Sequence, residues 1–264
     1  ALIIDVLRLQ GWSHKKLRFR IEEKNMKILG LDSSGIVASV AVVEDDILVA
    51  EYTVNYKKTH SQTLLPMLDE IAKMTELDLN TIDAIAVAAG PGSFTGLRIG
   101  SATAKGLGLA LKKPLIAVPT VEGLAYNLYD TDGLICPIMD ARRRQVYTGI
   151  YRFEEHRLVT VEDQMAVPME EMISKLNEYQ QPVTFLGDGV PVFADMIAEK
   201  LKVPYSFAPA HVNKQRAAAV AALGLIYYKE GRTQTAMEHI PDYLRVSQAE
   251  REREERQKKE REAA

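Results

Sequence analysis

The stretch "AVAAGPGSFTGLRIGSATAKGLGLALKKP", residues 86–114, decides how the chain is read. It begins as a short apolar run free of charge, suited to a strand covered on both faces. It breaks at Gly90-Pro91-Gly92 and continues as a helix in which Gly92, Gly96, Gly100, Ala104 and Gly108 recur every four residues. That interval places small residues along one slowly drifting helical face. A glycine in a helix interior costs about 1 kcal/mol relative to alanine, so several in one helix require a compensating gain. Two gains are open. The strand-to-helix turn offers free backbone N–H groups to a phosphate, or the stripe admits another backbone, from its own sheet or from a second subunit.

The phosphate reading meets obstacles. The turn is neither GxxxxGK[ST] nor GxGxxG with a distant acid, and Ser93 at its apex is more simply a helix cap than a nucleophile. Arg98 and Lys105 keep the helix out of a membrane, and no run approaches 18 apolar residues. If the stripe is a protein contact, Ser93, Thr95, Gly96, Leu97, Arg98, Gly100, Ala104, Lys105 and Gly108 frame it.

Outward from this stretch the chain repeats itself. "MKILGLD", "ASVAVVED" and "ILVAEYTVN" are strand-like, a helix follows over "HSQTLLPMLDEIAKM" with Ser61 as its expected cap, and "AIAVAAG" is the next strand. "LICPIMDAR", "QVYTGIYRF", "RLVTVEDQMAV", "MEEMISKLNEY" and "PVTFLGDG" restate strand–strand–strand–helix–strand at about 131–200. This predicts two similar α/β lobes, 26–130 and 131–235, then a C-terminal helix and charged tail over 236–264. The tail carries six basic and six acidic residues between Glu250 and Glu262, which reads as a solvated helix. Residues 1–25 look foreign to the rest of the chain and are read as an appended or upstream-translated segment, the alternative being a basic arm.

Composition excludes several classes. The chain has 264 residues, 47% hydrophobic and 26% charged, with a net charge of −3, so there is no global pull toward nucleic acid. Cys136 is the single cysteine, set in an apolar strand that blunts its reactivity, and a reducing cytoplasm fits. His14, His60, His156, His211 and His239 form no HxxH or HxxxH pair. Asp32 and Asp140 each end the first strand of a lobe, where two carboxylates could hold magnesium in a cleft. Asp32-Ser33-Ser34 forms half of a nucleotide clasp, but "ARRR", Arg142 to Arg144, spoils the other half with bulky side chains. These three arginines are also the dense cationic run of the core and candidate contacts for nucleic-acid phosphates.

"AAGPGSFTGLRIG", with "ILGLDSS", "DARRRQVYTGIY" and "PDYLR", resembles the bacterial TsaB (YeaZ) family from Met26 to about Arg245. The resemblance implies a duplicated actin-like fold of the ASKHA, ribonuclease H-like kind, with mixed sheets flanked by helices. It implies a role in N6-threonylcarbamoylation of the adenosine 3′ to the tRNA anticodon, as a heterodimer with the catalytic paralogue TsaD and with the ATPase TsaE. The subunit itself is then a pseudoenzyme, binding no cofactor alone, with ATP or ADP and magnesium at the complex interface and a homodimer when unpartnered. Where the paralogue carries an HxxxH metal pair, this sequence has Thr120 and Leu124. The rival from another class is an actin-fold ATP-dependent small-molecule kinase or ATPase, resting on Asp32, Asp140 and "LGDG" at 186–189.

Overall fold

A computed structural model of the protein describes residues 25–56 and 60–245. The readings of the first 24 residues and of the charged tail fall outside them.

The first sheet is built from β1 (Lys27–Asp32), β2 (Val37–Glu44), β3 (Ile47–Asn55), β4 (Ala84–Gly90) and β5 (Leu115–Pro119), in the order β3-β2-β1-β4-β5. β1, β2 and β3 are antiparallel, with β2 and β3 joined at the Asp45-Asp46 turn, where Asp45 takes a left-handed φ of 49°. β1 pairs parallel with β4, and β4 with β5. The second sheet repeats this with β6 (Leu134–Asp140), β7 (Gln145–Glu154), β8 (Arg157–Pro168), β9 (Val183–Leu186) and β10 (Tyr205–Phe207), in the order β10-β9-β6-β7-β8. The two sheets are therefore the same mixed topology used twice.

Each sheet is covered outside by two helices. α1 (Leu64–Met74) and α2 (Phe94–Leu111) bury Leu64, Met67, Leu68, Ile71 and Ala104 against Leu29, Leu31, Val40, Ile85 and Val87. On the second sheet α4 (Met169–Tyr179) and α5 (Val190–Lys200) do the same with Met169, Met172, Ile173, Phe193 and Ile197. Between the sheets lie α3 (Thr120–Tyr126) and α6 (Ala217–Lys229). α6, which the sequence reading counts with the second lobe, packs on the first sheet through Val220, Ala221, Leu223 and Leu225. α3 falls within the expected first lobe but buries Val121, Leu124 and Ala125 with Ile135, Met139 and Tyr151 of the second. The alanines at 84, 86 and 88 admit α6 closely, since a Cβ on Gly224 would stand 2.5 Å from that of Ala86.

One cap differs from expectation. α1 starts after Thr63, whose side chain makes no cap bond, while Ser61 lies within a 3-10 turn, His60–Gln62. The Thr63 hydroxyl instead donates to the His60 carbonyl at 3.1 Å, which removes it from the helix end. Among the described residues no helix is long and apolar enough to cross a membrane.

Candidate functional site

The carboxyl ends of β1 and β4 meet at the turn Asp32-Ser33-Ser34-Gly35, and α2 begins beside it. Asp32 is buried, and one of its oxygens accepts from the Ser34 N–H at 2.9 Å and the Ser34 hydroxyl at 2.7 Å. The Ser33 hydroxyl donates to the Gly96 carbonyl at 2.9 Å, and the Ser93 N–H donates to the Ser34 carbonyl at 2.6 Å. A Cβ at Gly92 would lie 2.4 Å from the Ser34 carbonyl oxygen, at Gly96 2.0 Å from that of Ser33, and at Gly100 2.6 Å from the Ser33 hydroxyl. Further along, Gly108 abuts Leu115, with Ala104 in the core beside it.

The stripe is therefore filled by its own chain. Gly96, Leu97, Gly100, Ala104 and Gly108 are buried, so of the residues expected at a protein contact only Ser93, Thr95, Arg98 and Lys105 reach the surface. The contact reading must move around the helix. Thr95, Arg98, Ala102, Gly106 and Leu109 form the outward face, with Leu109 65% exposed and nothing within 4 Å of a Cβ at Gly106. Arg98 is held there by stacking on Phe94, 4.0 Å from the ring centre. Ser93 is the helix cap expected of it, accepting from the Gly96 N–H at 3.3 Å. The N-terminal amides of α2 are thus partly engaged inside the fold, which weakens the phosphate-cradle reading.

Across from this turn stand Asp140 and Asp188. The Asp140 N–H donates to Asp188 at 3.1 Å, and the Asp140 carboxylate accepts the Arg142 N–H at 2.8 Å and its guanidinium at 3.0 Å. Burial pushes the Asp188 carboxyl above its ordinary value, opposed by the Asp140 N–H and by Lys214. Between the two walls lies a cleft of about 470 Å³, lined by Ser34, Gly92, Ser93, Asp140, Arg142 and Asp188 among others. Asp32 and Ser33 sit behind this wall, and only Ser34 of the expected clasp reaches the cleft. Among the described residues no group of three His, Cys, Asp or Glu side chains is placed to hold a metal ion.

The Arg142–Arg144 loop joins β6 to β7. All three residues are left-handed, with φ of 65°, 55° and 61°. Each such residue costs about 1–2 kcal/mol when it is not glycine. Arg142 pairs with Asp140 at 3.0 Å and Arg144 with Glu170 at 2.8 Å, on side chains 84% and 73% exposed. Exposed pairs of this kind contribute about 0–1 kcal/mol each, too little to offset the backbone. Arg143 has no ionic partner among the described residues.

Other candidates resolve plainly. Cys136 is buried and its thiol is pushed up to about 12 by desolvation, so it is inert. The Thr120 hydroxyl accepts the Gly90 N–H at 3.1 Å, and Leu124 lies in the core. A feature absent from the sequence reading is a strap over Asp242–Arg245. The Asp242 N–H donates to Ala89 at 2.7 Å and its carboxylate accepts from Gln164 at 2.6 Å, while Tyr243 stacks 4.5 Å from Phe94. Arg245 donates to the Ala141 carbonyl, so the strap ties both lobes. Its signal in sequence was only the resemblance carried by "PDYLR".

Desolvation raises the Asp32 carboxyl from 3.8 to about 6, against the lowering by the Ser34 bonds and by His60. The folded state therefore binds the proton more tightly than the unfolded one between these values, and stability falls as pH rises through that window. Asp32→Asn is expected to flatten the slope between about pH 4 and 6 and to add about 1–2 kcal/mol at neutral pH. Denaturant unfolding at both ends of the window checks it; an undiminished slope would contradict the assignment to Asp32.

A family model described as TsaD, tRNA N6-adenosine threonylcarbamoyltransferase, matches residues 48–253. Relatives matched over nearly their whole length carry another name. The tRNA threonylcarbamoyladenosine biosynthesis protein TsaB of Bacillus subtilis (strain 168) is 36% identical over 225 residues, 85% of this chain and 96% of its own. TsaB of Escherichia coli (strain K12) is 30% identical, over 83% of this chain and 95% of its own. The solved structure of YeaZ from Pseudomonas aeruginosa shares the fold, with a TM-score of 0.71 at 24% identity over 83% of this chain and 100% of that one. The duplicated sheet topology is the actin-like fold, and the chain belongs to the TsaB (YeaZ) family of tRNA threonylcarbamoyladenosine biosynthesis proteins.

Proposed function

We propose that the chain is a non-catalytic subunit of a cytoplasmic tRNA threonylcarbamoyl transferase, acting by association with a catalytic paralogue of the TsaD kind and a TsaE-type ATPase. The observation that carries this reading is the state of Thr120 and Leu124, which stand where the paralogue's metal histidines are expected. Thr120 spends its hydroxyl on the Gly90 N–H, and Leu124 is packed in the core. Neither side chain has the chemistry of a metal ligand.

The outward face of α2 supports the association half. Ala102 and Gly106 present a low surface without long polar side chains, flanked by exposed Leu109 on the same helix. Such a face suits helix-on-helix contact with a second actin-like chain, and it would give a homodimer when the paralogue is absent. ATP or ADP with magnesium belongs, on this reading, to the complex rather than to this chain. The lobe limits at 26–130 and 131–235 stay part of the proposal.

The kinase or ATPase rival needs a working cleft. Here Asp32 is turned to Ser34 and Asp140 to Arg142. Calorimetry of the isolated chain with ATP and magnesium is expected to give no binding heat, and the chain alone with tRNA and threonylcarbamoyl-AMP to give no product. Tight nucleotide binding, or product from the chain alone, would favour the rival.

A further inference from the structure

We infer that the Arg142–Arg144 loop is an RNA-phosphate site, which rests on the tRNA-modification reading above but names a surface and a ligand chemistry that reading leaves open. Three facts converge. Three consecutive non-glycine residues hold left-handed φ values of 65°, 55° and 61°, a conformation glycine would take without strain. All three side chains are exposed cations. Their internal pairs, Arg142 with Asp140 and Arg144 with Glu170, are surface pairs, and Arg143 has none among the described residues. Long cations thus occupy strained positions without an internal gain that accounts for them.

The geometry selects the ligand. Arg142, Arg143 and Arg144 together line one shallow, open concavity of about 400 Å³ with Asp140, Val192, Phe193 and Met196, so the cations sit side by side along a surface rather than around an enclosed point site. Adjacent guanidiniums on an open surface suit a run of phosphates along a nucleic-acid backbone, each able to accept two parallel guanidinium bonds. Glu170 is already shared between Arg144 at 2.8 Å and Lys200 at 3.8 Å, which adds a fourth cation to the corner. The loop stands on the second lobe at the mouth of the cleft that Arg142 also lines, whereas the outward face of α2 belongs to the first lobe. RNA and a partner chain therefore have separate surfaces.

The test measures binding of an unmodified tRNA transcript to the full chain, alone and with its catalytic relative, across a salt series. Arg143→Glu is expected to weaken binding about tenfold and to flatten the slope of log affinity against log salt by about one or more. Arg143→Lys should keep most of the affinity. Arg143→Gly separates ligand from fold: it should lose affinity while raising the melting temperature, because glycine relieves the left-handed strain. Unchanged affinity and slope in Arg143→Glu overturn the inference. So does a loss confined to binding of the protein partner, which would make the loop a protein contact. Failure of the wild-type chain to stimulate modification would instead count against the pathway role, whatever the salt series gives.

Discussion

Gly96→Ala is expected to destabilise the protein by about 3 kcal/mol, at the upper end of overpacking costs, whereas Gly106→Ala in the same helix should stabilise it by up to about 1 kcal/mol. The first Cβ would lie 2.0 Å from the Ser33 carbonyl oxygen, a backbone atom fixed by β1 on one side and by the Ser93–Ser34 bond nearby. Neither backbone can move without separating α2 from the turn. At Gly106 nothing lies within 4 Å, so alanine adds only its helix preference. Denaturant unfolding of the two variants reads the sign directly. Because marginal stability is about 5–15 kcal/mol, the first change removes a large share of it. Equal effects would mean that the stripe does not face its own chain. For the same reason Gly100→Leu, beside the Ser33 hydroxyl, is expected to unfold the lobe and cannot serve as a probe of partner binding.

Ala102→Arg has the second large effect, and of a different kind. Ala102 is exposed on the outward face of α2, so arginine is accommodated in the isolated chain with stability changed by less than about 0.5 kcal/mol. A docked helix would meet a long charged side chain where a methyl group had been. Burying that unpaired cation in the contact carries a penalty of several kcal/mol, so stimulation of tRNA modification should fall by about 100-fold or more. Size-exclusion of the mixture checks association, and melting of the chain alone checks the fold. Full activity of the variant would place the partner elsewhere.

Most of the fold was legible because period and burial agree. β1 and β4 are continuous apolar runs and are buried almost throughout, and α1 keeps its apolar residues at helical spacing on one side. The glycine period of α2 announced a close approach, and the approach is real, but spacing fixes a face and not the chain that covers it. Ser33 and Ser34 lie some sixty residues before the glycines they meet, so no local pattern reveals the pairing. α5 went unread although Val190, Phe193 and Ile197 carry a helical interval, because Gly187, Gly189 and Pro191 at its start look like a loop. β10 is three exposed residues and gives no alternation to detect.

The site was legible in parts. Arg142 to Arg144 stand out as a charge run, yet their left-handed backbone is invisible in a stretch without glycine. Asp32 and Asp140 were expected to face one another across a cleft. Asp140 lines it, while Asp32 is sealed behind Ser34 by hydrogen bonds of 2.9 and 2.7 Å. The strap at Asp242–Arg245 depends on contacts with Ala89, Phe94 and Ala141, all remote in sequence, and only three-dimensional structure brings them together.

The most direct test of function through association is the initial rate of tRNA N6-threonylcarbamoylation by the catalytic relative and its ATPase as this chain is titrated in. The expected result is a rate near background without the chain, a saturable rise on adding wild type, and no rise on adding folded Ala102→Arg. A rate indifferent to the chain, or the same rise from wild type and Ala102→Arg, would contradict it.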